Sequence, residues 1–379
     1  MIETLGSILF FITVLFALYY ALLIGKIWTS WNAIRDWIIP YNNKPNTKIS
    51  VIIAARNEEA FIQNCVSSIL KGSYPSELLE IIIIDDHSID ATVQNVLSLN
   101  NTEIIQLIHA ENQGKKNAIS QGIAKASGDL IVCTDADCTV PKNWLLQIES
   151  LYSNSKARVI CGMVKYTSDK SLVQRFQYLD NLNNMATTAV GISSKEYYLA
   201  NGANIAFEKS LFEEINGYED NKAYASGDDI FLVNKAAGLD KNNVLFLKSK
   251  ESIVSTQPQM SWSSLKIQRQ RWASKSKGYA KSKIVKIQAI VFLFVLVIFG
   301  NIIFSFVGLP ICIFSAMIAL LIKSSIDYLY LSRMSDYFGD RTPLKSFLPL
   351  AIVYLFYILM AGYWAITTKK YTWKGRTVK

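Results

Sequence analysis

Ile81–Ser88 reads IIIIDDHS, four β-branched apolar residues that run without a break into two carboxylates, a histidine and a hydroxyl. An uninterrupted apolar run suits a strand covered on both faces, as strands in parallel sheets are. Polar side chains crowded just beyond it suit the carboxyl edge of such a sheet, where open α/β folds bind ligands. The pattern recurs along the chain. Lys48–Ala54 (KISVIIA) leads into Arg56–Glu58, and Leu130–Cys133 (LIVC) leads into Asp135 and Asp137. Glu103–Ile108 supplies a further strand. Between the strands, spacing predicts helices over Asn57–Leu70, Ala91–Leu97 and Lys115–Ala126. The first of these carries Phe61, Cys65 and Ile69 on one face and Glu58 and Glu59 in its opening turn. Strands alternating with helices imply right-handed crossovers and a mostly parallel sheet. No GxGxxG follows a strand and no GxxxxGK[ST] occurs, which counts against a dinucleotide dehydrogenase and a P-loop NTPase.

This α/β stretch is set between apolar segments. Of the 379 residues, 51% are hydrophobic and 18% charged, whereas charged residues reach about 25% in soluble domains. That balance argues against a disordered chain. The five cysteines (Cys65, Cys133, Cys138, Cys161, Cys312) form no CxxC pair, so they read as small buried residues in a reduced compartment. Leu5–Ile24 contains no charge and is long enough to span the ~30 Å hydrocarbon core. With no basic residue before it and no small-residue cleavage site after it, it reads as an uncleaved anchor. Trp28, Trp31 and Trp37 look like an interfacial collar at its end. Ile287–Ile322 is uncharged and too long for one crossing; Gly308 and Pro310 break it into helices of roughly 287–306 and 310–331. Lys323 and Asp327 stand one helical turn apart and are spaced to pair. Phe347–Thr368 is a fourth uncharged segment.

The formal charge is +9, and its placement explains it. Lys266, Arg269, Arg271, Lys275, Lys277, Lys281, Lys283 and Lys286 precede the second apolar region. By the positive-inside rule the middle domain faces the cytoplasm of an integral membrane protein, with the plasma membrane of a bacterium as the expected location. Anionic membrane lipids attract such a patch, so no nucleic acid need be invoked. The expected organisation is an anchor over 1–28, an interfacial linker over 29–47 and a cytoplasmic α/β domain over 48–258. A basic interface segment follows over 259–286, and a membrane region over 287–379. One conflict stays open. Four crossings put the C-terminus on the far side, yet it carries Lys369, Lys370, Lys374, Arg376 and Lys379. Either that tail is translocated against the rule or one C-terminal segment is re-entrant.

Four constellations carry chemistry. Asp85 and Asp86, at a strand end, can accept hydrogen bonds from a ribose or a base edge; a solvated turn competes with that reading. Asp135-Ala136-Asp137 can aim two carboxylates at one hard divalent ion, Mg2+ or Mn2+, whose other ligands come from water and substrate phosphates. Ser226-Gly227-Asp228-Asp229 opens an apolar helix over Ile230–Ala237, where an acid either serves as a base or only caps the helix. Gln268-Arg269-Gln270-Arg271-Trp272 offers charge for a diphosphate and an aromatic face for a sugar. An interfacial tryptophan beside a snorkelling arginine is its plainer reading. His87 and His109, with no partner at ligand spacing, read as structural.

In this order and spacing the four resemble the membrane-bound family-2 glycosyltransferases of GT-A fold. The likeness covers Ile49–Trp272. Val51–Glu59 (VIIAARNEE) looks like the family's opening strand and nucleotide loop, Gly114–Ser120 (GKKNAIS) its GKxxAL element, and Asn201–Phe207 (NGANIAF) its acceptor-side loop. The resemblance implies an α/β GT-A domain with one N-terminal and about three C-terminal membrane helices. It also implies inverting transfer from a UDP- or GDP-linked sugar. Ala55, Arg56, Glu58, Asp85, Asp86, Lys115 and Asp135 would hold the nucleotide sugar. Asp137 and Asp135 would hold the metal, Mg2+ or Mn2+. Asp229 would be the general base, with Asp228 beside it. Asn201, Gly202, Gln268, Arg271 and Trp272 would serve the leaving group and acceptor. The acidic pair departs from the family's usual Glu-Asp.

A motif beside the membrane suggests a lipid or lipid-linked acceptor. A processive polysaccharide synthase that exports its polymer is the alternative, and a non-catalytic membrane scaffold with a degenerate nucleotide-binding fold is the reading from another class. A transporter would need more intramembrane acids than Asp327.

Overall fold

The computed structural model describes residues 2–167, 171–219, 228–274, 283–367, 371–373 and 376–378. Ser226, Gly227, Lys275, Lys277, Lys281, Lys369, Lys370, Lys374 and Lys379 lie outside the described residues, as does the side chain of Asp228. Two compact units divide the chain. One holds residues 1–33, 169–187 and 259–377, and the other 34–168, 188–258 and 378–379.

The helical unit opens with α1 (Ile2–Ala33). The α/β unit follows with β1 (Ile49–Ala55), α2 (Ile62–Leu70), β2 (Leu79–Asp85), α3 (Thr92–Leu97), β3 (Ile105–His109) and α4 (Lys115–Lys125). It continues through β4 (Leu130–Cys133), α5 (Trp144–Ser153), β5 (Val159–Cys161) and β6 (Val164–Tyr166). After α6 (Leu172–Ser193) come β7 (Ile205–Glu208), α7 (Lys209–Glu214), α8 (Asp228–Leu239), β8 (Val244–Phe246) and β9 (Val254–Thr256). The helical unit resumes with α9 (Trp262–Ser274), α10 (Lys283–Phe306), α11 (Ile311–Phe338) and α12 (Phe347–Thr367). The short pair β10 (Tyr371–Trp373) and β11 (Arg376–Val378) closes the described chain.

Seven strands form the main sheet in the order β3-β2-β1-β4-β7-β5-β8. β3, β2, β1 and β4 are parallel, as the apolar runs predict. Strand β7 enters antiparallel to both β4 and β5. Val51, Ile52, Ile53 and Ile81–Ile84 are all buried, so both faces of the parallel half are covered and apolar–polar alternation has nothing to mark. Helix α4 lies so close to this layer that a Cβ on Gly122 would meet Ile84 at 2.5 Å and Ile52 at 3.0 Å. Glu80 ties the strands to the turn before β4, accepting from the Ser50 hydroxyl and from the Ser127 and Gly128 amides (2.6 and 3.2 Å).

Helix α2 starts later than its periodicity predicts. Asn57 adopts a left-handed backbone (φ 51°). The amides of Asn57, Glu58 and Glu59 donate to Ser88 Oγ, Thr92 Oγ1 and Asp90 Oδ2 at 3.0, 2.8 and 3.1 Å. These side-chain acceptors replace helical ones, so Glu58 and Glu59 stand in a turn over the β2–α3 loop.

Among the described residues of the helical unit, four helices are long and apolar enough to cross a membrane: Thr4–Ala33, Lys283–Phe306, Ile311–Phe338 and Thr342–Thr367. α1 and α11 run parallel, with Gly6 against Ile311, the Tyr20 hydroxyl donating to Asp327 Oδ1 (2.6 Å) and Trp31 against Tyr337. Helix α10 is antiparallel to α1, pairing Tyr20 with Phe294 and Thr13 with Asn301. Lys323 and Asp327 do pair, at 2.5 Å. Trp31 departs from the interfacial collar. It is 2% exposed and packs edge-on against Tyr337 at 5.1 Å, because α11 covers that face of α1.

Candidate active site

The parallel register brings the loop residues to one edge of the α/β unit. Ala55 pairs with Asp85, and Asp85 with His109. The Asp86 amide donates to the Ala55 carbonyl (2.7 Å), and Arg56 Nη1 donates to the Asp86 carbonyl (3.3 Å). Both acids of the pair are buried. Asp85 accepts from the Ser88 amide (3.2 Å), and Asp86 Oδ2 accepts from the Gly114 amide (3.1 Å), which ties the β2 loop to the start of α4. Each histidine faces one of these acids: His87 Nδ1 lies 3.2 Å from Asp86 Oδ1 and His109 Nδ1 3.4 Å from Asp85 Oδ2. These contacts give both histidines acidic partners that sequence spacing does not reveal. The available signal is the register, since His109 ends β3 level with Asp85.

The second acidic motif occupies a turn after β4. The Cys138 amide closes on the Asp135 carbonyl (3.1 Å), and Asn64 Nδ2 on α2 donates to Thr139 Oγ1 (2.8 Å). Asp135 and Asp137 are half-buried, while Ala136 and Cys138 point inward. Burial pushes the Cys65 and Cys138 thiols well above their ordinary range, and the Asp137 and Asp135 charges push them further. Both therefore stay neutral thiols, not thiolate ligands.

From Asp135 a chain of contacts reaches Asp229. Lys115, the first residue of α4, places Nζ 2.5 Å from Asp135 Oδ1. A Cβ on Gly202 would stand 3.6 Å from that same Nζ and 3.8 Å from Asp229 Oδ2. The Gly202 amide donates to Asp229 Oδ2 at 3.0 Å. Asp229 lies in the first turn of α8, where its Oδ1 accepts from the Ile230 amide (2.8 Å). Three separately predicted segments thus meet: GKKNAIS, the DxD turn and the NGANIAF loop, with α8 completing the group. Asn201 Oδ1 shapes that loop by accepting from the Ala203 amide (3.0 Å). Its anchor is Asn204, which the motifs do not single out. Asn204 is 1% exposed, accepts from Trp144 Nε1 (2.9 Å) and donates to the Met163 and Ser252 carbonyls (2.8 and 2.9 Å). A second asparagine directly before an apolar strand is the clue to it in the sequence.

A carboxylate pair in a turn suits a hard divalent cation. Among the described residues no three His, Cys, Asp or Glu side chains converge as a metal cage. Asp135 and Asp137, half-buried in their turn, are oxygen donors of the kind a hard divalent ion takes, with water and phosphate oxygens as its other ligands. Gln268, Arg271 and Trp272 lie on α9, in the helical unit. Within that unit Arg269, between them in sequence, is buried, pairs with Asp180 of α6 at 2.8 Å and stacks over the Trp272 ring at 4.2 Å. Gln268 Oε1 is buried without a hydrogen bond among the described residues.

A model of the family described as Glycosyl transferase family 2 matches residues 50–215. The probable glycosyltransferase YdaM of Bacillus subtilis is 27% identical over 245 residues, covering 60% of this chain and 57% of that protein. A poly-beta-1,6-N-acetyl-D-glucosamine synthase of Staphylococcus epidermidis is 27% identical, covering 49% of this chain and 45% of its own length. The glycosyltransferase AglE of Haloferax volcanii is 28% identical, covering 50% and 60%. The chain thus spans about half the length of the curated relatives it matches. Among solved structures, the mannosyltransferase PcManGT from Pyrobaculum calidifontis, in complex with GDP-Man and Mn2+, superposes with a TM-score of 0.60. The match covers 97% of this chain and 100% of that one at 16% identity, a likeness of fold. Residues 50–215 match the family 2 glycosyl transferases, the fold is that of a GT-A domain, and among the described residues four helices are apolar and long enough to cross a membrane.

Proposed function

We propose that the protein is an inverting glycosyltransferase that moves a sugar from a UDP- or GDP-linked donor to a hydroxyl of a lipid or lipid-linked acceptor. The observation that carries this reading is the meeting of Asp135, Lys115, Gly202 and Asp229 at one edge of the sheet. Inversion needs a base on the acceptor side and positive charge on the leaving side. Asp229 takes the acceptor's hydroxyl proton. The acceptor oxygen then bonds to the anomeric carbon while the bond from that carbon to the diphosphate oxygen breaks, and its electron pair leaves with the diphosphate. Lys115 holds Asp135 in place and offers charge to the departing group. Asp137, with Asp135, would hold Mg2+ or Mn2+, which when bound neutralises diphosphate charge.

Ala55, Arg56, Glu58, Asp85 and Asp86 belong to the nucleotide side of this scheme, and Asn201 with Gly202 to the acceptor side. Asp228 neighbours the base. Gln268, Arg271 and Trp272 are assigned to leaving group and acceptor on the resemblance, with the unsatisfied Gln268 Oε1 in favour. The basic stretch before α10 supports a cytoplasmic catalytic side in a bacterial plasma membrane.

The test is transfer by the full chain in lipid vesicles, given radiolabelled UDP- and GDP-sugars, a membrane lipid extract and Mg2+ or Mn2+. A lipid-extractable product bearing one sugar, lost in Asp229→Asn and Asp137→Asn while both variants still insert, is expected. A long polymer would move the assignment to a processive synthase, the activity in the name of the Staphylococcus epidermidis relative. Absence of donor binding and of transfer with every donor would overturn it in favour of a scaffold.

A further inference from the structure

Helix α12 has the length and composition of a membrane span, but its contacts hold both of its ends at one depth. At 1.5 Å per residue its 21 residues extend about 30 Å, so a spanning α12 would leave its ends on opposite sides of the bilayer. Depth in the helical unit can be read from α1. Its Tyr20 touches both Phe294 of α10 and Asp327 of α11, which sets those residues at one level. At the start of α12, Phe347 packs on Tyr328, next to Asp327 in sequence, at 5.2 Å. Near its end, a Cβ on Gly362 would meet the ring of Phe292, close to Phe294, at 2.5 Å. Only the middle reaches further along the bundle. Phe356 meets Phe299 at 5.3 Å, and Lys323 lies over the Tyr354 ring at 5.4 Å. Helix α12 therefore crosses α10 and α11 obliquely instead of running the length of either.

Its other face lies on polar helices. Ser346 Oγ, just before α12, accepts from Arg175 Nη1 of α6 at 2.6 Å. Tyr354 and Tyr357 pack on Phe176 of α6 at 5.9 and 5.1 Å, and the Arg269 guanidinium of α9 lies 5.8 Å from the Tyr357 ring. Beyond the end of α12, β10 lies against α9. Helix α9 carries Lys266, Arg269 and Arg271 with three serines, and α6 carries Arg175 and Asp180. Neither composition suits hydrocarbon. The exposed face completes the pattern. Leu348, Ile352, Phe356, Met360, Tyr363 and Ile366 recur at three- and four-residue spacing as one exposed apolar stripe. α12 thus exposes one apolar stripe and rests its aromatic face on polar protein, so its placement in the leaflet follows from its contacts and not from a polar face of its own.

We infer that α12 is an interfacial helix embedded in the leaflet on the α9 side, and that the basic C-terminal tail stays on that side. The remaining apolar helices agree in parity. α1 and α11 are parallel and α10 opposes them, so these three crossings return the chain, after α11, to the side where α1 ends. Lys369, Lys370, Lys374, Arg376 and Lys379 then obey the positive-inside rule together with the basic stretch before α10. The partner of the exposed stripe is the acyl–headgroup boundary of the membrane itself.

Two measurements on the full chain test this. Alkaline phosphatase fused after Lys379 should be inactive in intact bacteria and a fluorescent protein fused there should fluoresce, because the tail is not translocated. An active phosphatase fusion would overturn the inference. Depth gives an independent check with spin labels at Leu348→Cys and Ile366→Cys in oriented vesicles. Both labels should relax with a water-soluble reagent added to the α9 side alone, at depths within one helical turn of each other. Accessibility of the two labels from opposite sides would establish a spanning α12 and refute the proposal, whatever the enzyme's activity.

Discussion

Asp229 and Asp135 come from segments almost a hundred positions apart, and what joins them is a lysine and a glycine. Lys115→Met would remove the Lys115–Asp135 ion pair and, on the proposed scheme, charge from the leaving side. A hydrogen bond to a charged group contributes about 1.5–3 kcal/mol, so the donor KM should rise roughly 10- to 100-fold with folding intact; steady-state kinetics against donor checks it. Asn204→Ala acts on stability. It strands a buried indole N–H and two buried carbonyls, and a cost of about 3 kcal/mol follows from the usual penalty for such groups. Chemical denaturation in detergent measures it. Asp85, Asp86, Asp135 and Asp137 are legible in sequence because each pair follows an apolar strand, and a strand end in a parallel sheet is a place chemistry can be read from order alone; Asp229 is legible as an acid that opens an apolar helix. Asn204 and the partners of the two histidines are not, since they depend on residues such as Trp144 and Asp85 that only the register brings near.

At the scale of elements, the parallel half of the sheet is readable and the rest is not. β1, β2 and β4 declare themselves as buried runs, whereas β7 is a four-residue strand whose antiparallel entry no local pattern records. The start of α2 differs from its periodicity because Glu58 and Glu59 suit a helical first turn equally well. The competing acceptors, Ser88, Asp90 and Thr92, lie some thirty residues away. Glu80 carries a pH prediction. Burial works to raise its carboxyl, but the bonds donated by Ser50, Ser127 and Gly128 outweigh it and hold it below the usual glutamate range. Its stabilisation is therefore present above the ordinary glutamate pKa and lost as pH falls through the lowered value. Glu80→Gln should cost at most about 1.5 kcal/mol at neutral pH, the low end for bonds to a charged group, because solvent partly screens this half-buried carboxylate. Melting curves of variant and parent should converge as the medium is acidified below the ordinary glutamate pKa. The Asp180–Arg269 pair joins α6 to α9, with both side chains buried. Breaking such a pair on one side costs about 3–5 kcal/mol, while replacing both partners by apolar residues is often neutral. Asp180→Asn should therefore lower the melting temperature in detergent far more than Asp180→Leu with Arg269→Met. Equal losses would mean that the pair's charges are not what fastens α9.

On the scale of the whole molecule, composition points to the membrane but not to the number of crossings. Apolar length marks four helices equally. Yet α1, α10 and α11 run alongside one another, while α12 crosses two of them obliquely and rests on polar helices. Only contacts distinguish them. The central claim, that the carboxylates divide into a diphosphate-side pair and an acceptor-side base, is tested most directly by measuring donor binding and single-turnover transfer together on two variants. Asp229→Asn should bind the nucleotide sugar like the parent and transfer it about 10²–10⁴-fold more slowly, the range for a lost general base. Asp137→Asn should lose cation-dependent binding itself. Transfer at the parental rate by Asp229→Asn, or an identical loss of binding in both variants, would contradict the division of roles.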